Sequence, residues 1–205
     1  MLLCFPYRRW TDEDPRLREL MTRAAADYKV VVFEEPLLDG QGAGELTHRR
    51  EGDVEILQPH LPPRLADRTA NAALRKLLDD YQAGTSPAEI LWLISPAAMA
   101  FSSHVTPKLR IYDCVEDLAS RPNAPATLPL LERRVLGRVD VVITATKPLF
   151  DLQRARHKAV KLLAPSSETP EGWDGLWSAM RSEIRSRVSH AAGQADISRS
   201  TAAGG

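Results

Sequence analysis

The sequence lacks three features that mark common protein classes: a disulfide framework, a long apolar run and a large net charge. Among its 205 residues only Cys4 and Cys114 are cysteines, Cys4 within a predicted strand and Cys114 at the end of another. This placement is typical of small buried residues in a reducing compartment. The apolar runs are far shorter than the roughly 20 residues that a membrane-spanning helix needs. We therefore expect a cytoplasmic protein without a transmembrane segment.

The sequence has no net charge, because its 27 basic and 27 acidic residues cancel. Proteins that bind nucleic acids draw much of their affinity from net positive charge, so we expect no nucleic-acid partner. The histidines are scattered, without a cysteine or histidine partner at the spacing of a metal site. We therefore expect no bound metal. The histidines are His48, His60, His104, His157 and His190.

Glycine-rich phosphate loops are also missing from the sequence. It contains neither the G-x-G-x-x-G pattern of dinucleotide-binding folds nor a Walker loop, and the segment 7–14 after the first predicted strand has no glycine. Such loops need glycine to turn tightly and to let the backbone approach a pyrophosphate. We therefore expect neither a nicotinamide nor a P-loop nucleotide site, and no other cofactor.

Short apolar, β-branched runs alternate with helical patterns along most of the chain. This alternation predicts an α/β fold: a single Rossmann-like, doubly wound, mostly parallel sheet. The polar, glycine-bearing stretch from Leu37 to Gly52 is predicted to be a long loop. The seven predicted strands are Leu2–Phe5, Lys29–Phe33, Val54–Leu57, Ile90–Ile94, Leu109–Tyr112, Val139–Ile143 and Val160–Leu163.

Three segments are expected along the chain. Residues 1–165 form the Rossmann-like domain, and 166–188 form a linker and a helix. An apolar stripe of that helix, Trp173, Trp177, Met180 and Ile184, is expected to pack on the sheet. Residues 189–205, rich in alanine, serine and glycine, are predicted to be a disordered tail.

Acidic residues cluster where one predicted strand ends. Asp113, Glu116 and Asp117 follow Leu109–Tyr112 at the edge of an open α/β sheet where ligands collect. Spacing alone leaves two interpretations open, a functional site or acids that form a turn and face solvent. The predicted helix start Thr144–Lys147 also has two interpretations, a phosphate site or a plain helix cap.

Five short segments of the sequence are recognisable as a set: Met1–Trp10 (MLLCFPYRRW), Val32–Pro36 (VFEEP), Pro59–Pro62 (PHLP), Ile111–Leu118 (IYDCVEDL) and Asp140–Thr144 (DVVIT). Each segment alone is weak. Together they resemble the N-terminal half of a group of bacterial GT-B glycosyltransferases associated with exopolysaccharide and cell-envelope sugar assembly, and the resemblance covers about residues 1 to 166.

The resemblance implies a site as well as a fold. In that family two Rossmann-like domains face each other across a cleft; the N-terminal one holds the acceptor and usually supplies the general base, and the C-terminal one binds the nucleotide sugar. Asp113, Glu116 and Asp117 are the implied candidates for the base. The implied substrate-binding residues are Tyr7, Arg8, Arg9, Trp10, Arg16, Ser95 and His104.

The sequence departs from the family in two places. The first helix keeps Arg16 and Leu20, but Glu19 occupies the family's histidine position. After Pro165 the chain passes directly to a segment, 172–181, that resembles the family's terminal helix, without the donor domain. We therefore expect a truncated acceptor-side domain that is inactive alone and acts on a sugar or lipid-linked acceptor with a donor-domain partner in trans. The alternative is a degenerate, non-catalytic binding or scaffold module.

Overall fold

The computed structural model describes residues 1–12, 14–122 and 124–202, with the side chains of 119 and 190–202 outside the description. Its centre is one sheet, whose strands are β1 (Leu2–Phe5), β2 (Val30–Phe33), β3 (Glu45–Glu51), β4 (Val54–His60), β5 (Ile90–Leu93), β6 (Leu109–Cys114), β7 (Val141–Thr144) and β8 (Val160–Leu162). Their order is β3-β4-β2-β1-β5-β6-β7-β8, and only β3 runs antiparallel to its neighbour. The predicted mostly parallel α/β sheet is confirmed.

Helices cover both faces of this sheet. Alternate residues of a strand point to opposite faces, so Leu3 and Phe5 of β1 pack in one apolar layer while Leu2 and Cys4 pack in the other. The helices are α1 (Pro15–Ala24), α2 (Asp67–Ala83), α3 (Met99–Ser102), α4 (Leu128–Leu136), α5 (Lys147–Arg154) and α6 (Pro170–Ala202). Helices α1 and α6 cover the Leu2 face, and α2 to α5 cover the other.

The stretch Leu37–Gly52, predicted to be a loop, contains the edge strand β3. That prediction was wrong because β3 has mostly exposed, polar side chains and owes its position to backbone pairing with β4. The pairing begins at a two-residue turn in which Gly52 has φ 59°. Glycine adopts this left-handed conformation without strain, which is why it suits tight hairpins.

The predicted packing of the C-terminal helix on the sheet is confirmed. In α6 the side chains of Trp173, Trp177, Met180 and Ile184 are buried against α1 and the sheet. The indole nitrogen of Trp177 also donates a hydrogen bond to Asp27 at 3.1 Å. In the described chain no helix, α6 included, is both long and apolar enough to span a membrane.

The backbone of α6 is helical through Ala202, whereas the composition predicted disorder from Ser189 onward. Alanine has the highest helix propensity, which favours continuation of a helix once it has begun. Residues 203–205 of the predicted tail lie outside the described residues. The three-segment division of the chain stays a prediction.

Two glycines of α6 provide a matched test of how the helix begins. A Cβ atom at Gly172 would lie 2.2 Å from the backbone oxygen of Ser167, whereas one at Gly175 would meet nothing within 4 Å. We expect Gly172→Ala to lower the free energy of unfolding by about 1–3 kcal/mol, as overpacking does. Gly175→Ala should raise it by roughly 0.5–1 kcal/mol. Urea unfolding checks both signs, and stabilisation by both substitutions would contradict the close approach at Ser167.

Candidate functional site

Two neighbouring cavities lie at the carboxyl edge of the sheet, where β1, β2, β5 and β6 all end because they are parallel. The first has a volume of about 220 Å³, with walls that are mostly apolar and include three phenylalanines. We call it the phenylalanine cavity. The second, about 400 Å³, is lined in part by Tyr7 and Arg121, and we call it the polar cavity. Glu35, Ser95 and Ala97 line both.

Glu35 is the carboxylate at the junction of the two cavities. It follows β2, and the side-chain amide of Gln58 on β4 holds its backbone oxygen at 2.8 Å. The hydroxyl of Ser95 donates to its Oε1 at 3.0 Å, and the amide of Ser95 is itself bound to the Phe5 oxygen at 3.0 Å. The side chain is accessible to solvent from the cleft. Glu35 is therefore held in place and open to a ligand.

The surroundings of Glu35 raise its pKa above the ordinary value for a glutamate. Desolvation by the cleft walls is the largest cause, and the Ser95 hydroxyl and the Arg9 guanidinium act in the opposite direction. A carboxylate with a raised pKa that remains reachable is suited to accept a proton from a hydroxyl group.

This raised pKa predicts a pH-dependent gain in stability for Glu35→Gln. An acid whose pKa is higher in the folded than in the unfolded protein stabilises the fold less as pH rises, from the unfolded pKa of about 4.3 through the folded value. Because the substituted amide would not ionise, we expect the variant to be more stable than the protein at pH 7, with the difference vanishing near pH 3. Thermal unfolding of both proteins between pH 3 and pH 7 measures this difference in stability.

Glu116→Gln is the matched control, and it should behave in the opposite way. Burial raises the pKa of Glu116, but hydrogen bonds from Arg121 and Tyr7 and the positive charges of Arg121 and Arg8 together lower it by more, so the net shift is downward. The stability that Glu116 contributes is present above its unfolded pKa and is lost as pH falls through the folded value. Glu116→Gln should therefore destabilise the protein at pH 7. Equal behaviour of the two variants would contradict the assigned environments.

Asp113, the first of the three predicted bases, is 0% exposed at the end of β6. Arg16 of α1 binds both of its oxygens, with Nη2 to Oδ1 at 2.8 Å and Nε to Oδ2 at 3.1 Å. Nη2 of Arg16 also donates to the Leu163 oxygen at 3.3 Å, beyond β8. The base role of Asp113 stays a prediction, and this geometry argues against it, because a base must come within hydrogen-bond reach of the substrate.

Glu116 lies near Tyr7, as the sequence predicted for the acidic strand end. Its carboxylate forms an ion pair with Arg121. Burial is the main cause that raises the pKa of Tyr7 to about 12, and the neighbouring Glu116 carboxylate adds to it. The guanidinium groups of Arg8 and Arg121 each lie 5.3 Å from the centre of the Tyr7 ring. These four residues form a charged wall beside the polar cavity.

Three further predicted residues hold loops at this edge. Trp10 is buried, and its amide donates to Glu34 at 2.5 Å. The amide of Arg9 donates to Asp12 at 2.9 Å, while its side chain is exposed. Asp117 accepts from the Ser120 amide at 3.2 Å and so caps a single turn of 3-10 helix. Trp10 and Asp117 therefore stabilise the loops that frame the cleft.

The structure does not bring His104 to this edge. It follows the short helix α3, which returns the chain to the amino edge of the sheet, and its Nε2 lies 2.5 Å from Asp79. At the start of α5, Thr146 accepts from the Leu149 amide at 3.5 Å, which is the geometry of a plain cap. No group of three or more metal-ligating side chains is placed to hold an ion within the part of the chain that the structure describes.

Glu35 is the residue that the sequence argument missed. It belongs to Val32–Pro36, the segment that contributes to the family resemblance, and it follows a buried strand just as Asp113 does. The signal was therefore present, but two adjacent glutamates follow β2 and only the structure separates them. Glu34 is buried and bound by Arg49 at 3.2 Å, whereas Glu35 faces the cleft.

The strand order and the parallel pairing define a Rossmann-like, doubly wound α/β domain. A structure of a sucrose-phosphate synthase from Thermosynechococcus elongatus has a TM-score of 0.59 at 12% identity, covering 91% of this chain and 98% of that one. A UDP-forming α,α-trehalose-phosphate synthase from Burkholderia xenovorans gives 0.46 at 13% identity, covering 72% of this chain and 40% of that one. No protein-family model and no curated protein matches the sequence. The first likeness shows the fold alone.

Proposed function

We propose that the protein is a glycosyltransferase-like acceptor domain in which the cleft binds a sugar acceptor and Glu35 is the general base. The position of Glu35 carries this proposal: it is a reachable carboxylate with a raised pKa, between an apolar and a polar cavity at the carboxyl edge of the sheet. That edge is where open α/β sheets bind ligands.

The chemistry assigned to this site is one displacement. The acceptor hydroxyl attacks the anomeric carbon of an activated sugar, a new carbon–oxygen bond forms, and the bond to the nucleotide diphosphate breaks. The hydroxyl proton moves to Glu35, whose orientation Ser95 fixes. Tyr7, Arg8 and Arg121 bind the other polar groups of the acceptor.

The donor is proposed to come from a partner protein. Only residues 163–169 join β8 to α6, and α6 packs directly on this domain. A departing diphosphate needs hydrogen-bond donors or a metal ion opposite the base, and that opposite wall would belong to the partner. A role in exopolysaccharide or envelope assembly rests on the family resemblance. Two buried free cysteines, Cys4 and Cys114, favour the cytoplasm as its compartment.

A non-catalytic binding module is the second candidate, and the same short connection supports it. Such a protein would keep the cleft and bind the acceptor without transferring a sugar. The two candidates share acceptor binding and differ in turnover. Sugar transfer by the protein together with a donor-binding partner separates them.

Ligand selectivity tests the shared part of the proposal. We expect simple glycosides to raise the melting temperature, because a ligand that binds only the folded state stabilises it. UDP-glucose and GDP-mannose should bind the protein alone no better than millimolar. A thermal-shift assay checks the first expectation and calorimetric titration the second. Micromolar affinity for a nucleotide sugar with none for any glycoside would overturn the acceptor assignment.

A further inference from the structure

We propose that the acceptor carries a single aromatic ring beside its reacting hydroxyl, and that this ring binds in the phenylalanine cavity. The inference rests on the proposed function, because it names the acceptor class of the same cleft. The cavity lies against Glu35 but is distinct from the polar cavity that takes the sugar hydroxyls.

Three aromatic rings lie at the back of the cavity, where Phe101 is 8% exposed and Phe5 and Phe33 are 1% exposed each. Phe5 ends β1, Phe33 ends β2, and Phe101 lies in α3. Their centroids are 5.6 Å apart for Phe5 and Phe33, 5.5 Å for Phe5 and Phe101, and 5.7 Å for Phe33 and Phe101. Because each ring packs on the other two and on the sheet, the wall is preorganised. Phe101, the most exposed of the three, presents part of its ring to an occupant, and such a surface favours another aromatic ring.

The cavity volume limits the size of its occupant. A cavity of about 150 Å³ lined by apolar side chains binds benzene, so the roughly 220 Å³ found here holds one ring with a small substituent. A polyprenyl chain is far too long for this space. A sugar ring does not suit it either, because hydroxyl groups buried against phenylalanine would lose their hydrogen bonds to water.

The polar groups of the cavity lie where a ring-bearing sugar needs them. Glu35 and Ser95 stand on the wall that the two cavities share, so a hydroxyl next to the ring would reach the carboxylate. The remaining hydroxyls would then lie in the polar cavity near Tyr7 and Arg121. The phenylalanine cavity on one side of Glu35 and the polar cavity on the other match the ring and the sugar of an aryl glycoside.

Calorimetric titration with paired glycosides tests the proposal. The probes are methyl, hexyl and phenyl glycosides of glucose, galactose and mannose. For at least one sugar we expect the phenyl glycoside to bind about tenfold more tightly than the methyl glycoside, the factor that about 1.4 kcal/mol of added burial gives. It should also bind more tightly than the hexyl glycoside.

Two variants locate the ring. Ala98→Leu adds volume to the phenylalanine cavity and should abolish the phenyl preference without changing methyl glycoside affinity. Since Ala98 is buried and overpacking can disturb the fold, Asn71→Phe on the partly exposed wall from α2 is the second variant, with the same expected result. Ala83→Leu, at the exposed end of α2 and away from both cavities, is the control and should keep the phenyl preference.

The outcomes separate the two proposals. Equal affinity for methyl and phenyl glycosides, or a phenyl preference that survives both Ala98→Leu and Asn71→Phe, overturns this inference and leaves the proposed function intact. A hexyl preference that these variants remove assigns the cavity to a chain instead of a ring and also overturns it. Binding of none of the glycosides overturns the proposed function itself.

Discussion

Replacing Asp113 by asparagine is expected to lower the free energy of unfolding by about 3–5 kcal/mol, the usual effect of breaking a buried ion pair. Asp113 is 0% exposed, and Arg16, which binds it at 2.8 Å, is 7% exposed. The substitution leaves the Arg16 guanidinium charged and buried without its counterion. Urea unfolding at pH 7 measures the effect.

A double variant shows whether the loss comes from the unpaired charge. Arg16→Met together with Asp113→Leu replaces the pair by apolar groups, which for buried pairs is often neutral or stabilising. We expect the double variant to be clearly more stable than either single variant. If Asp113→Asn changes the free energy of unfolding by less than about 0.5 kcal/mol, as an ordinary surface substitution does, Asp113 is not a buried partner of Arg16.

Replacing Glu35 by glutamine is expected to reduce sugar transfer, measured with a donor-binding partner present, by about 10²–10⁴-fold, the range that general-base catalysis contributes. The amide retains the shape of the side chain and can still accept a hydrogen bond from Ser95, but it cannot take the acceptor proton. Because the loss arises in the transition state, it should appear in kcat with little change in KM.

Asp117→Asn is the control for this prediction. Asp117 was a candidate base from the sequence, but in the structure it caps a turn, and asparagine serves as an N-cap about as well as aspartate does. Transfer by Asp117→Asn should therefore stay near that of the unchanged protein. Full activity of Glu35→Gln alongside an inactive Asp117→Asn would return the base to the acidic end of β6.

Strand positions were predictable here where burial alone determines the residue pattern. The central strands are short, fully buried and β-branched, as in Val30–Phe33, so the sequence identifies them without knowledge of their neighbours. The edge strand β3 has no such pattern, because its stability comes from pairing with β4. The two-residue turn at Gly52 and Asp53 was its only local signal.

The sequence predicted where the candidate site lies better than it predicted which acid faces the cleft. Parallel strands end at one edge, so Tyr7, Ser95 and the acids after β6 were expected together, and all lie there. Which acid is buried against a base and which faces a cleft depends on contacts between distant segments. Asp113 meets Arg16, 97 residues away in the chain, whereas Glu35 faces the cleft. His104 was misplaced because α3 was too short to show that the chain turns back.

The central claim is that an acceptor binds over Glu35, and amide chemical-shift mapping by NMR tests it most directly in a protein of 22.7 kDa. On titration with a phenyl glycoside that binds, we predict that the largest shifts occur at the amides of Glu35, Ser95, Ala97 and Phe101. Shifts confined to the start of α5, residues 145–149, with none at Glu35 or Ser95, would contradict the account.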